Sequence, residues 1–223
     1  MIVLHTDDAA RQAAVTKACD RITAGGIIAF PTETFYGIGA RYDDADALQR
    51  LYAIKHRPAD KAIPLIIGSR DLLPLVSCAA DPLALLLAAR FWPGPLTLLL
   101  DARHDLPALI TAGTGKVAVR IPGPSFALDL ARSLPFPITA TSANISGSPP
   151  AADPEDVLRH FDGVLDMLID AGAAPGGRPS TIIEVVEGHV ILLREGAVSY
   201  ESIVKTAEQI TADQAVVKKV RPV

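Results

Sequence analysis

No apolar run in this chain lasts long before a proline or a glycine ends it. With 18 prolines and 16 glycines among 223 residues, its core has to be assembled from many short strands and helices. None of these runs approaches the ~20 consecutive apolar residues that a membrane-crossing helix needs, so the apolar stretches are core elements and no membrane partner is expected. Apolar material is ample, at 49% of the residues and a mean hydropathy of +0.30. One domain over about 1–210 is expected, followed by a polar tail over 211–223.

Local signals order the elements. Thr6 or Asp7 is expected to cap a helix reaching about Ala24, with Val15, Ala18 and Ile22 on one face and Gly25-Gly26 as the exit. A strand over 27–31 follows. Asp43-Asp44 starts a second helix on which Leu48, Leu51, Tyr52 and Lys55 share a stripe, and Pro58 takes Arg57 out of helical geometry. Strands over 64–67, 96–100, 117–120, 138–141 and 165–170 alternate with helices opened by Asp81-Pro82, Ser125 and Asp153-Pro154. Strands over 180–186 and 190–194 form a hairpin around Glu187-Gly188-His189, and a helix over 200–210 closes the series. Such alternation predicts an α/β fold of the α+β type, with helices around a mixed rather than purely parallel sheet.

Charge narrows the function classes. A net charge of -4 and a pI near 5.7 argue against a protein that coats nucleic acid through its overall field. Any polyanion must be met locally, by cations at element ends: Lys55, Arg57, Lys61, Lys116, Arg120 and Arg194. The start of the chain, Met1-Ile2-Val3-Leu4 followed by His5-Thr6-Asp7-Asp8, lacks the pattern of a secretory signal, so a cytoplasmic location is expected. Cys19 and Cys78 have no CxxC spacing and read as reduced, packed thiols. The histidines His5, His56, His104, His160 and His189 fall in unrelated segments, without HExxH, a serine elbow or a metal-ligating cluster. Walker and dinucleotide glycine signatures are missing too, so ATP would have to be held by dispersed side chains.

Two distant segments present compact polar groups at strand or helix ends: Lys55-His56-Arg57-Pro58 and Thr141-Ser142-Ala143-Asn144. Extended geometry after the helix break could aim Lys55 and Arg57 at one triphosphate. Alternatively, Lys55 interacts with the helix C-terminal dipole and Arg57 lies in solvent. Ser142 and Asn144 could bind phosphate or ribose through neutral donors, or simply form a turn. A third segment, Pro31-Thr32-Glu33-Thr34-Phe35-Tyr36-Gly37-Ile38-Gly39, stops an apolar strand at hydroxyls, where Thr32, Thr34 and Tyr36 could hold a small polar ligand. Glu33 could help order magnesium or a basic loop, or be a surface or salt-bridged residue. Arg120 has the planar fork that grips a carboxylate, and could equally form a sheet-edge salt bridge.

Seven strings in fixed order, Pro-Thr-Glu-Thr-Phe-Tyr-Gly-Ile-Gly, Lys-His-Arg-Pro, Phe-Trp-Pro-Gly-Pro-Leu-Thr, Val-Ala-Val-Arg-Ile-Pro, Thr-Ser-Ala-Asn-Ile-Ser-Gly, Pro-Ser-Thr-Ile-Ile and Leu-Arg-Glu-Gly, run from about Gly25 to Gly196. In these the chain resembles the YrdC-like family of threonylcarbamoyl-adenylate synthases. The resemblance implies a YrdC/RibB-like twisted open mixed sheet with surrounding helices and a deep concave site, without the additional C-terminal domain of some relatives. It assigns Lys55, Arg57, Ser142 and Asn144 to an ATP site, with Lys55 and Arg57 catalytic and Arg194 also on the nucleotide. Thr32, Arg120 and Ser180 would bind threonine, Arg120 through its carboxylate, and Thr34, Tyr36 and Thr181 would be further pocket residues. The sequence departs from the family's usual pattern at Pro179, where relatives often carry an acidic residue, so the 176–181 loop is where geometry should differ.

By that resemblance the chain would combine L-threonine, bicarbonate or carbon dioxide, and ATP with Mg2+ into threonylcarbamoyl-AMP and pyrophosphate. The product would pass to a downstream threonylcarbamoyl transferase complex that modifies tRNA. The rival class is an RNA-binding or ribosome-maturation module without turnover, and weak direct RNA binding is carried as an expectation beside the enzyme.

Overall fold

The fold, taken from a computed structural model, is described for residues 1–7 and 9–220, with side chains as far as residue 213. The strands divide between two mixed sheets where one was expected. The first runs in the order β1 (Ile2–His5), β10 (Met167–Asp170), β2 (Ile28–Pro31), β3 (Tyr36–Gly39), β9 (Thr141–Ser142). Its first three strands are mutually parallel, while β3 is antiparallel to both β2 and β9. The second runs β12 (His189–Arg194), β11 (Thr181–Val186), β6 (Leu96–Ala102), β7 (Lys116–Arg120), β4 (Leu65–Ile66), β8 (Ile138–Thr139), with β5 (Ser77–Ala79) also against β6.

The division happens inside one predicted strand. Residues 138–141 split at Ala140: Thr139 pairs with Leu65 in the second sheet, and Thr141 pairs with Ile38 in the first. Ala140 itself donates to the Pro64 carbonyl at 2.9 Å, and the Thr139 hydroxyl accepts from Ala40 N at 2.9 Å, so the crossing has its backbone groups satisfied. This switch binds the edges of the two sheets together and leaves a concavity beside it.

Helices cover the outer faces and fill the space between the sheets. Caps predicted from sequence close three of them: Asp44 accepts from Ala47 N at 2.9 Å before α2 (Ala45–Ile54), Asp81 from Leu83 N at 2.8 Å before α3 (Pro82–Phe91), and Asp153 from Asp156 N at 2.7 Å before α6 (Pro154–Phe161). Each such cap is worth ~1 kcal/mol. α1 (Arg11–Thr23) begins later than expected, and Asp7 instead accepts from Ala10 N in the turn ahead of it. α1 packs with α5 (Phe126–Ser133) in a core that reaches Phe30 of β2 and Ile66 of β4. α2 and α6 bury Leu48, Leu51, Tyr52, Val157 and Phe161, while α3 and α7 (Tyr200–Val220) lie on the second sheet.

Several expectations need correction. The strand β3 was not expected, since two of its four residues are glycines, which weaken strand propensity; it is fully buried and forms a hairpin with β2. The β11–β12 turn has two residues rather than three, Glu187 at φ 50 and Gly188 at φ 76, which puts His189 in the strand. α7 continues past its expected end near Ile210 as far as Val220, so 211–220 prolong a helix where a tail was expected, and 221–223 lie outside the described residues. Cys78 is exposed on β5 instead of packed near a helix end. No described helix is long and apolar enough to cross a membrane.

Candidate functional site

Beside the switch at Ala140 lies a cleft of about 280 Å³ that draws residues from both sheets. Thr32, Thr34, Tyr36 and Ser142 line it from the first, and Arg120, Ser180 and Arg194 from the second, with Arg57 entering from the loop after α2. Most of the residues singled out from sequence therefore meet in one hollow.

Lys55 ties the two distant segments together. It is the C-cap of α2 and only 1% exposed, and its ammonium donates to the carbonyls of Ser142 at 2.5 Å and Asn144 at 2.6 Å. Helix-dipole stabilisation in solvent is excluded by that burial. Desolvation, and after it the neighbouring Arg57 cation, lower the Lys55 pKa from 10.5 to about 7. The break that frees Arg57 lies at His56, in the left-handed region at φ 48 and exposed, one residue earlier than Pro58 alone would place it. Arg57 turns back to brace its own loop, donating to the carbonyls of Lys61 at 2.9 Å and Ala62 at 2.5 Å, and still lines the cleft.

Ser142 and Asn144 do form a turn, and the turn is part of the site. The Ser142 hydroxyl donates to Asn144 Oδ1 at 2.5 Å, while Asn144 Nδ2 donates to the carbonyls of Ile145 and Ser148. These bonds shape the segment whose carbonyls hold Lys55. Ser142 is exposed to the cleft, whereas Asn144 is buried behind it.

Thr32 braces the turn after β2. Its hydroxyl donates to Phe35 O at 2.7 Å and accepts from Thr34 N at 3.1 Å. With that proton committed, Thr32 also accepts from the Thr34 hydroxyl at 3.2 Å, so a ligand that hydrogen-bonds to it has to displace that hydroxyl. Tyr36 is fully buried, and burial pushes its phenol up to about 12. It stays a donor, to Gly172 O at 2.7 Å, so its ring walls the cleft while its hydroxyl pins the 171–177 loop.

Arg120, at the end of β7, forms the salt bridge that was the alternative to ligand binding. It lines the cleft, and its Nη1 donates to Glu33 Oε1. Glu33 is thus neither a surface residue nor the partner of a basic loop; both side chains of the pair are nearly buried. Ser180 accepts from the Thr97 hydroxyl at 2.9 Å and from Arg194 Nη2 at 3.2 Å. The Arg194 residue as a whole is exposed, but desolvation of its guanidinium against Ser180, and then the like charge of Arg120, hold its pKa below the usual arginine value.

Thr181 is the one pocket residue that turns away. Fully buried, its hydroxyl donates to Val198 O and accepts from the backbone N–H groups of Gly196 and Val198. It fastens the strand carrying Ser180 to the turn after Arg194. A Cβ on Gly196 would lie 2.1 Å from Pro179 O, so this approach requires glycine. Pro179, flagged as a departure, lines the cleft and its carbonyl accepts from Ala197 N at 2.8 Å. Sequence reasoning missed Thr97 and Ile182, which also line the hollow; a lone threonine inside the apolar run 96–100 was the available signal for the first, and nothing distinguished the second. Lys116 and Lys61 are not part of the lining. Among the described residues no group of three or more His, Cys, Asp or Glu side chains is placed to hold a metal.

Known proteins share this architecture. Residues 20–196 match the family Sua5_yciO_yrdC, described as telomere recombination. The chain is similar to the threonylcarbamoyl-AMP synthase of Pyrococcus abyssi (strain GE5 / Orsay), with 38% identity over 218 residues that take in 98% of this chain and 64% of that protein. It is similar to the protein of the same name from Cellvibrio japonicus (strain Ueda107), with 33% identity over 177 residues, 79% of this chain and 94% of that one. Among solved structures, P. abyssi Sua5 complexed with L-threonine superposes with a TM-score of 0.87 at 38% identity, over 92% of this chain and 60% of the other. The chain therefore spans less than two thirds of the P. abyssi relative.

Proposed function

The chain belongs to the Sua5_yciO_yrdC family, and from that premise we propose that it is an L-threonylcarbamoyladenylate synthase, a nucleotidyltransferase whose catalytic unit is 1–210. The observation that carries the reading is the meeting of Arg57, Ser142, Thr32, Arg120, Ser180 and Arg194 in one cleft, with Lys55 and Asn144 packed against Ser142 outside its lining. The names of the relatives and the threonine complex of P. abyssi Sua5 support the same assignment.

In this reading the amine of L-threonine and bicarbonate or carbon dioxide give a carbamate, with loss of water in the bicarbonate case. A carbamate oxygen attacks the α-phosphorus of ATP, and pyrophosphate leaves in line. No protein nucleophile takes part. Two anions must be brought together, so catalysis rests on positioning and charge stabilisation. Arg57, Arg194 and Lys55 serve the phosphates, while Arg120 takes the threonine carboxylate and Ser180 and Thr32 add hydrogen bonds. Magnesium enters with the nucleotide as part of the substrate, on phosphate oxygens. The product serves a threonylcarbamoyl transferase complex that modifies tRNA, and we place the reaction in the cytoplasm.

Pyrophosphate release with each substrate omitted in turn tests the proposal. Release is expected only when ATP, threonine and bicarbonate are all present; turnover without threonine refutes it. The RNA-module alternative instead expects ATP-independent RNA binding with a steep salt dependence.

A further inference from the structure

Arg57, Arg120 and Arg194 all face the cleft, and a polyanion would be drawn to either end of it. Among the described residues, Arg120 is the one of the three with a carboxylate against it, that of Glu33. Arg57 is held by the carbonyls of Lys61 and Ala62, and Arg194 by the carbonyl and hydroxyl of Ser180, which are dipoles without net charge. Glu33 stands behind Arg120 and is not part of the lining. Its second oxygen, Oε2, is buried and has no hydrogen-bond partner among the described residues, so its charge is shared with no donor beyond Arg120. Space for the carboxylate is kept by Gly123, where a Cβ would lie 3.2 Å from Glu33 Cγ.

We infer that Glu33 sets the charge pattern of the cleft: by offsetting Arg120 it reserves that arginine for a ligand with a single carboxylate and leaves polyphosphate to Arg57 and Arg194. The identity of the two ligands rests on the function proposed above; the partition of charge rests on the Glu33–Arg120 pair. Charges a few ångströms apart in a nearly buried site act far more strongly than in bulk water, so a single carboxylate can change which anion an arginine prefers. Arg120 and Arg194 both line the hollow, and after desolvation the like charge of Arg120 contributes to the lowered pKa of Arg194. Without Glu33 that repulsion is unanswered, and a polyanion bridging the two arginines would answer it. Glu33 is a specificity-determining residue that acts through Arg120 rather than by touching the ligand.

Calorimetric titration of inorganic pyrophosphate and of L-threonine, separately and together, into the full chain and its Glu33→Gln variant tests this. The unaltered chain is expected to bind the two independently. In Glu33→Gln, pyrophosphate should bind about tenfold more tightly, drawn to the uncompensated Arg120, and should compete with threonine. Independent binding of the two ligands in Glu33→Gln overturns the inference. If the unaltered chain binds no threonine, the proposed activity fails, while tighter pyrophosphate binding by Glu33→Gln still upholds the partition and unchanged binding overturns it. Should Glu33→Gln not fold, Gly123→Ala, whose Cβ crowds the Glu33 side chain that pairs with Arg120, should give a weaker form of the same competition; anion selectivity like that of the unaltered chain would again overturn the inference.

Discussion

The two ends of the site hold their cations in opposite ways. At one end Lys55 is buried behind the cleft, outside its lining, and its ammonium rests on two backbone carbonyls. At the other, Arg120 is nearly as buried and rests on a carboxylate. Carbonyls supply dipoles and leave the charge whole, so the protein bears the desolvation of Lys55 and its pKa falls to about 7. An ion pair instead cancels the charge where it stands. The first end is therefore incomplete until an anion arrives, and the second is complete before any ligand does.

The largest expected effect follows from the incomplete end. Lys55→Met should lower pyrophosphate release by ~100- to 1000-fold, as loss of one preorganised donor does elsewhere. Stability carries a second signature. In the folded chain Lys55 loses its proton near pH 7, while the unfolded chain keeps it up to 10.5. Between those values the unfolded state binds more protons, so stability rises with pH across the window; below about 7 the full cost of the buried charge is present. At ~1.4 kcal/mol per pKa unit the rise is on the order of a few kcal/mol. Urea unfolding across this window should show it in the unaltered chain and lose this component in Lys55→Met. Equal slopes in the two proteins would remove the contrast between the ends.

Arg120→Ala comes next, and its effect should fall on stability as well as on the KM for threonine. It strands the Glu33 carboxylate, whose Oε2 already lacks a partner, and breaking a buried pair from one side costs ~3–5 kcal/mol. Arg57→Ala leaves only the carbonyl of Ala62 without a side-chain donor, since the Tyr52 hydroxyl still donates to Lys61 O at 2.7 Å, and Arg57 is half-buried, so ~1 kcal/mol is expected. Its KM for ATP should nonetheless rise tenfold or more, while the KM for threonine stays near that of the unaltered chain. Paired unfolding and kinetic measurements on the two variants check the asymmetry; an Arg57→Ala protein as unstable as Arg120→Ala would break it.

What was legible in the sequence was local. Asp44, Asp81 and Asp153 announce their helices because a cap is made within three residues of itself. The cations and hydroxyls of the site were named, and the family motifs supplied their grouping, but the residues alone left each with a bland alternative. Nothing nearby in sequence tells Lys55 that it will meet carbonyls 87 and 89 positions away, and the Arg120–Glu33 pair spans 87. The crossing at Ala140 was hidden for another reason. Four residues of strand pattern read the same whether they stay in one sheet or pass to a second, and only the pairing of Leu65 with Thr139 and Ile38 with Thr141 decides it. That crossing helps to form the concavity, so the shape of the site was less legible than its chemistry.

The smallest expected effect bears on why position at an element end was too weak a criterion. Lys116 has the same credentials in sequence as Arg120, four residues along the same strand, yet its ammonium donates to Asp101 at 2.6 Å and to Glu184 at 2.8 Å. Those two carboxylates raise its pKa, the mark of a cation already answered. The group is a third exposed, so its pairs are worth at most ~1 kcal/mol after screening by solvent. Lys116→Ala should accordingly leave both KM values and kcat unchanged and shift the melting temperature by a few degrees or less. A fall in pyrophosphate release comparable to that of Arg57→Ala would mean that charge outside the lining helps to bind the nucleotide, and compensation by carboxylates would then no longer separate the cations that serve the cleft from those that do not.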